Sequence, residues 1–237
     1  MKPDGSLGQA SSSQLDYGNG PNRRQAGPHA HSVIPDPSHR FVLVPDMGAD
    51  RVFVYKFDDA TRTLAPAATP FVQFPAGTGP RHAVFSPNGK YLYVMTELSA
   101  EVHSFAWDAA TGSLAPIQTL KTIINPPAGA LTMDGAEVAI SANGRFLYSS
   151  TRLDNSISVY AIDPANGHLT EIQHISAQGT NPWSFTIDPS GHWMLVTDEG
   201  SSLVAVLKID PINGKLTATG KSLQVPHPVS AAFVSAG

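Results

Sequence analysis

Hydrophobic and polar positions alternate along most of this chain with a period of two, in runs of seven or eight residues. One set of runs reads RFVLVPD (40–46), KYLYVMT (90–96), RFLYSST (145–151) and HWMLVTD (192–198). A second set follows each of these after a short polar loop: RVFVYKFD (51–58), EVHSFAWD (101–108), SISVYAID (156–163) and LVAVLKID (203–210). β-Branched and aromatic residues are enriched throughout, and Gly- or Asn-containing turns punctuate the runs, so each run is predicted to be a strand. No segment carries a helical period of useful length.

The runs recur as a unit. Asp36-Pro37, Ser86-Pro87, Ser141-Ala142 and Asp188-Pro189 open equivalent turns, spaced 50, 55 and 47 residues apart. After the second run come ATRTLAP (60–66), ATGSLAP (110–116), ANGHLTE (165–171) and INGKLTA (212–218), which lead into a weaker fourth strand such as Ile117–Lys121. A period near 50 with four strands is the pattern of propeller blades. The expected fold is all-β: a β-propeller of four-stranded blades in one domain, 1–237, with four whole blades and partial pieces at both ends. DGSL (4–7) matches the turn before a fourth strand, and Pro228–Phe233 resembles the first strand of a further blade.

Aligned repeats separate positions that build the blade from positions that vary on it. Five residues before the turn pair the copies read His31, Arg81, Ala136 and Trp183; four before, Ser32, His82, Glu137 and Ser184. Ten after they read Asp46, Thr96, Thr151 and Asp198; eleven after, Met47, Glu97, Arg152 and Glu199. In an antiparallel hairpin the start of one strand lies beside the end of the next, so all four columns are predicted at one edge of each blade. If the first strand is innermost, that edge faces the mouth of a central channel. His31, Arg81, His82, Glu97, Glu137 and Arg152 then converge from three successive blades. Charged residues at strand ends are commonly only solvated, and Glu97 with Arg152 also fits an ordinary inter-blade ion pair. Two Arg, two His and two Glu in matching columns fit a shared pocket better. His39, His103, His168, His174, His192 and His227 are read as structural or surface residues.

Composition narrows the chemistry. Fifteen Lys+Arg against nineteen Asp+Glu give a net charge of −4, which offers no broad field for nucleic acid or an anionic membrane. There is no cysteine, hence no disulfide, thiolate metal site or Cys nucleophile. The apolar runs are too short to span a bilayer, and MKPDGSLGQASSSQ has no signal-peptide core, so the expected location is cytoplasmic. No Gly-x-Ser-x-Gly elbow or phosphate-cradling loop occurs. His29-Ala-His31 places two imidazoles two apart, but lacks a specified third ligand, so metal-free chemistry is expected and no cofactor is implied.

At GPHAHSV (27–33), GPRHAVF (79–85), MTEL (95–98), AEVAIS (136–141), STRLDNSISVY (150–160) and HPVSAAF (227–233) the chain resembles the seven-bladed lactonase propellers. That family includes bacterial-type 6-phosphogluconolactonases and fungal carboxy-cis,cis-muconate cyclases. The resemblance implies a lactone hydrolase acting on a small anionic lactone. The alternatives are a lactone-forming cycloisomerase and a non-catalytic scaffold. It implies His31, Arg81, Glu97 and Arg152 as catalytic residues, with His29, His82 and Glu137 binding substrate; Trp183, which departs from the family pattern, is expected to bind substrate by covering a sugar or aromatic face. It also implies missing N-terminal blades, and self-association if the ring is incomplete. Where many members have Pro-Arg this chain has Pro182-Trp183, so one cation usual near the pocket is absent and phosphate recognition is open.

Overall fold

The computed structural model describes residues 3–123, 128–130 and 132–234. Sixteen strands form four antiparallel sheets of four. The first sheet holds β1 (Ile34–Pro35), β2 (Phe41–Asp46), β3 (Arg51–Asp58) and β4 (Thr63–Gln73). The second holds β5 (Pro80–Phe85), β6 (Tyr91–Thr96), β7 (Glu101–Asp108) and β8 (Ser113–Lys121). The third holds β9 (Gly135–Ile140), β10 (Phe146–Thr151), β11 (Ser156–Ile162) and β12 (Leu169–Ser176). The fourth holds β13 (Pro182–Ile187), β14 (Trp193–Asp198), β15 (Leu203–Ile209) and β16 (Leu216–Gln224). Each sheet is a meander in chain order, as blades of a propeller require. Among the described residues the only helical element is one 3-10 turn, Arg23–Gln25, and no helix is long and apolar enough to cross a membrane.

The sheets stack face to face, and the strand period explains their cores. Phe41, Leu43, Val52 and Val54 of the first sheet meet Phe85, Leu92, Val94 and Phe105 of the second. The opposite-pointing residues of that second sheet, Tyr91, Tyr93, Met95 and Val102, meet Val138, Leu147, Tyr160 and Ile162 of the third. Tyr148, Ile157 and Val159 then meet Met194, Val196 and Leu207 of the fourth. Strands β6 and β10 are buried along their whole length because both faces are covered; of the outermost strands β8 is partly and β16 mostly exposed.

The predicted partial blades do not form strands here. DGSL is a turn closed by Ser6 onto Asp4, and residues 228–233 lie outside the sheets. Ahead of the first sheet, Ser11 and Gln14 instead donate to the carbonyls of Arg62 and Leu64. Tyr17 packs edge-on to Phe53, with ring centroids 5.4 Å apart.

Gly135 sits where the first strand of the third sheet crosses the second. A Cβ there would lie 2.2 Å from the Thr96 carbonyl and 2.4 Å from Met95 Cε. Gly135→Ala is therefore expected to destabilise by about 1–3 kcal/mol through overpacking. Thermal melting checks this; an unchanged midpoint would show that the two sheets slide apart freely.

Candidate active site

The four columns do lie at one edge, and a repeated backbone device holds them there. Ala30 bridges Asp46, Pro80 pairs with Thr96, Gly135 with Thr151 and Pro182 with Asp198. The next N–H in each copy turns back onto the loop before the first strand. Met47 donates to the His29 carbonyl, Glu97 to Gly79 at 2.7 Å, Arg152 to Asp134 at 2.9 Å and Glu199 to Asn181 at 3.0 Å. Gly79, Asp134 and Asn181 have φ of 64°, 52° and 58°, a region that Gly, Asp and Asn tolerate best. The sequence thus fixes the backbone at Glu97 and Arg152 by placing those residue types seven positions ahead of the turn pair.

A second device sets the side-chain directions. The register slips between Pro80 and His82 on β5, between Pro182 and Ser184 on β13, and within the β9–β10 pairing. These bulges sit at Arg81, Trp183 and the Ala136-Glu137 step. A bulge breaks the strict alternation of faces, so consecutive residues reach one place. Arg81 Nη1 and His82 Nε2 are 3.2 Å apart in consequence.

Glu97 is the centre of the cluster, and its side chain is only 3% exposed. Arg81 Nε donates to Oε2 at 3.0 Å, while Arg152 Nη2 and Arg24 Nη2 reach Oε1 at 2.9 and 2.5 Å. Burial by itself pushes the Glu97 carboxyl up, but Arg152, Arg24 and Arg81 outweigh it and hold the group at about 2. Arg81 also donates from Nη1 to the Ala136 carbonyl at 2.8 Å, which ties β5 to β9. Burial lowers the pKa of Arg81, against the pull of Glu97.

Beside this cluster runs a second chain of polar groups. His82 Nδ1 lies 2.5 Å from Glu137 Oε1, and Ser184 Oγ donates to Glu137 Oε2 at 2.9 Å. A guanidinium only donates, so His82 Nε2 accepts from Arg81 and its proton resides on Nδ1, toward Glu137. Burial raises the Glu137 carboxyl, yet its bonds to His82 and Ser184 leave it below the usual carboxylate value. His31 stacks edge-on to His82 at 5.0 Å between ring centroids, and its Nε2 is 3.8 Å from Glu97 Oε2. Burial, reinforced by Arg81, lowers His31 to about 4. It is therefore an uncharged imidazole at neutral pH. The Trp183 ring covers the other side, 4.7 Å from Arg152 Cζ and 5.9 Å from Arg81 Cζ.

Seven of the eight residues singled out from sequence meet here: His31, Arg81, His82, Glu97, Glu137, Arg152 and Trp183. His29 does not join them through any hydrogen bond or ion pair among the described residues. Its backbone N–H is held by Asp46 Oδ1 and its ring lies over Gly48. His29 and His31 share no strand, because β1 begins only at Ile34. Among the described residues no group of three or more His, Asp or Glu is placed to hold a metal ion. Sequence reasoning missed Arg24. It precedes the repeats, so no column contains it, and the only signal was an Arg23-Arg24 pair inside a Gly-, Pro- and Asn-rich stretch.

The family model described as Lactonase, 7-bladed beta-propeller, matches residues 1–233. The chain belongs to this family. It is 32% identical over 234 residues to the 6-phosphogluconolactonase of Bacillus subtilis strain 168, covering 99% of this chain and 65% of that protein. It is 34% identical over 187 residues to the 6-phosphogluconolactonase of Pectobacterium carotovorum, covering 78% of this chain and 55% of the relative. Among solved structures it resembles the periplasmic gluconolactonase of Pseudomonas aeruginosa, with a TM-score of 0.90 and 35% identity. That comparison covers 100% of this chain and 65% of the other. This lactonase propeller chain thus spans 55–65% of the length of those relatives.

Proposed function

We propose that the cluster around Glu97 is the active site of a metal-free lactone hydrolase for small sugar-acid lactones, 6-phosphogluconolactone in the first place. The observation that carries this reading is an uncharged imidazole, His31, held 3.8 Å from a carboxylate that itself fixes three guanidinium groups. The lactonases and gluconolactonase to which the chain is similar support it.

In this reading a water hydrogen-bonded to His31 attacks the lactone carbonyl carbon, and His31 takes its proton as general base. The carbonyl π bond opens to an oxyanion facing Arg81 and Arg152, whose positions Glu97 fixes before reaction begins. The intermediate collapses, the ring C–O bond breaks, and the alkoxide takes the proton back from His31. The product is the open-chain hydroxy acid, with one water consumed. Glu97, clamped by three cations, is a poor proton acceptor; its part is to position the arginines. Glu137 orients His82 in the same way.

The test is hydrolysis of 6-phosphogluconolactone above its spontaneous rate by protein shown to melt cooperatively. A cooperative sample with no excess rate overturns the assignment to this lactone. Trp183 offers the flat apolar face against which a sugar ring packs. Trp183→Ala is expected to raise KM roughly 3–10-fold with a smaller change in kcat, from the loss of about 0.5–1.5 kcal/mol of ring stacking. Trp183→Phe should recover part of it, and an unchanged KM would remove Trp183 from the site.

A further inference from the structure

Arg24 differs from the other two arginines in how it is held. Its backbone is tightly anchored: Asn22 caps the 3-10 turn, receiving the Arg24 N–H, while the Gln25 side chain returns to the Asn22 backbone. Gln25 is fully buried, and its Nε2 donates to the Met47 carbonyl at 2.8 Å and to Asp50 Oδ1 at 2.7 Å. The side chain is the reverse. Its exposure is 41%, against 2% for Arg81 and 9% for Arg152.

A guanidinium carries five N–H donors. Arg24 makes two contacts among the described residues, both from Nη2: Glu97 Oε1, and Met47 Sδ at 3.6 Å, a weak acceptor. Arg81, by comparison, divides Nε and Nη1 among Glu97, the Ala136 carbonyl and His82. The charges also fail to cancel. Three guanidinium groups, from Arg24, Arg81 and Arg152, stand against two carboxylates, Glu97 and Glu137. The cluster therefore keeps a surplus of one positive charge, and Arg24 is the most exposed of its three guanidinium groups.

We infer that Arg24 is the specificity-determining cation of the site: it binds the anionic substituent of the substrate, a phosphate monoester or a carboxylate distal to the lactone, through its free N–H groups. This rests on the lactonase reading of the same site and supplies what that reading lacks. Arg24 comes from the 3-10 turn ahead of the first sheet, outside the repeats. The fork of N–H donors suits either oxyanion, and the anchored turn keeps the arm pointing at the pocket before ligand arrives.

Two measurements test it. Calorimetric titration of the wild-type chain with 6-phosphogluconate, glucarate and gluconate should show tighter binding of one or both acids that carry a second anionic group. Arg24→Gln should remove that preference, weakening the charged ligand roughly tenfold or more relative to gluconate, and Arg24→Lys should restore part of it. Which of the first two ligands responds to Arg24 distinguishes phosphate from carboxylate. In kinetics, Arg24→Gln should raise KM for 6-phosphogluconolactone at least tenfold more than for glucono-δ-lactone. Equal weakening of the ligands with and without the distal anionic group overturns the inference and leaves Arg24 as a support for Glu97. Arg24-dependent binding in a chain that hydrolyses neither lactone upholds the inference while the lactonase reading falls.

Discussion

Glu97→Gln is expected to destabilise the protein by about 3–5 kcal/mol and to lower lactone hydrolysis by roughly 10²–10³-fold. The carboxylate is 3% exposed and compensates two guanidinium groups that are themselves buried, at 2% and 9% exposure. An amide of the same shape leaves them charged, desolvated and mutually repelling, with one of its two acceptor positions turned into a donor. The arginines then lose the geometry that an oxyanion needs. The effect has a pH signature. Glu97 drops from 4.5 to about 2 on folding, so its contribution is complete above pH 4.5 and vanishes as pH falls through 2. The wild-type minus variant difference in stability should therefore shrink across that window. Adding Arg81→Met to Glu97→Gln should recover part of the lost stability, since removing both partners of a buried pair costs less than removing one. Should the single variant melt within a degree or two of wild type, the cluster is solvated more than its burial implies.

Much of this architecture was legible because the repeat is written in side-chain chemistry. Gly, Asp and Asn at 79, 134 and 181 hold the left-handed position ahead of the first strand in three of the four copies, a signal that the comparison of columns does not use. Alternating runs fix which residues face which neighbouring sheet. Comparing copies then exposes the positions released from structural duty, such as Arg81 against Ala136 and Glu97 against Met47. The bulges were not legible, because a register slip is a backbone event with no residue of its own. Without it, Arg81 and His82 would point to opposite faces, and the proximity of their side chains would not follow from their adjacency. His29 hydrogen-bonds to none of the other seven side chains among the described residues: its backbone N–H is taken by Asp46 and its ring lies against Gly48. The hierarchy of charge was also hidden. Sequence suggested an ion pair of Glu97 with Arg152, but not that three guanidinium groups would share the carboxylate.

That hierarchy decides which group moves the proton. A carboxylate clamped by three guanidinium groups takes up a proton only near pH 2, whereas His31, lowered by burial and by Arg81, does so near pH 4. A general base is active in its deprotonated form, so the acid limb of kcat/KM reports which of the two serves. With His31 as base, activity rises through an apparent pKa near 4 and is flat across neutrality. With Glu97 as base, the limb moves down toward 2. His31→Asn is expected to lower kcat by about 10²–10⁴-fold and to abolish the limb near pH 4, with little change in the melting midpoint at pH 7. Stability supplies an independent check of the sign. Because the folded value of His31 lies below its ordinary 6.5, its contribution is complete above pH 6.5 and is lost as pH falls toward 4, ahead of the Glu97 window. The wild-type protein should therefore lose stability relative to His31→Asn between pH 6.5 and 4, and relative to Glu97→Gln only below about 4.5. A variant that keeps both its rate and its acid limb would remove His31 from the chemistry and return the role of base to another group of the cluster.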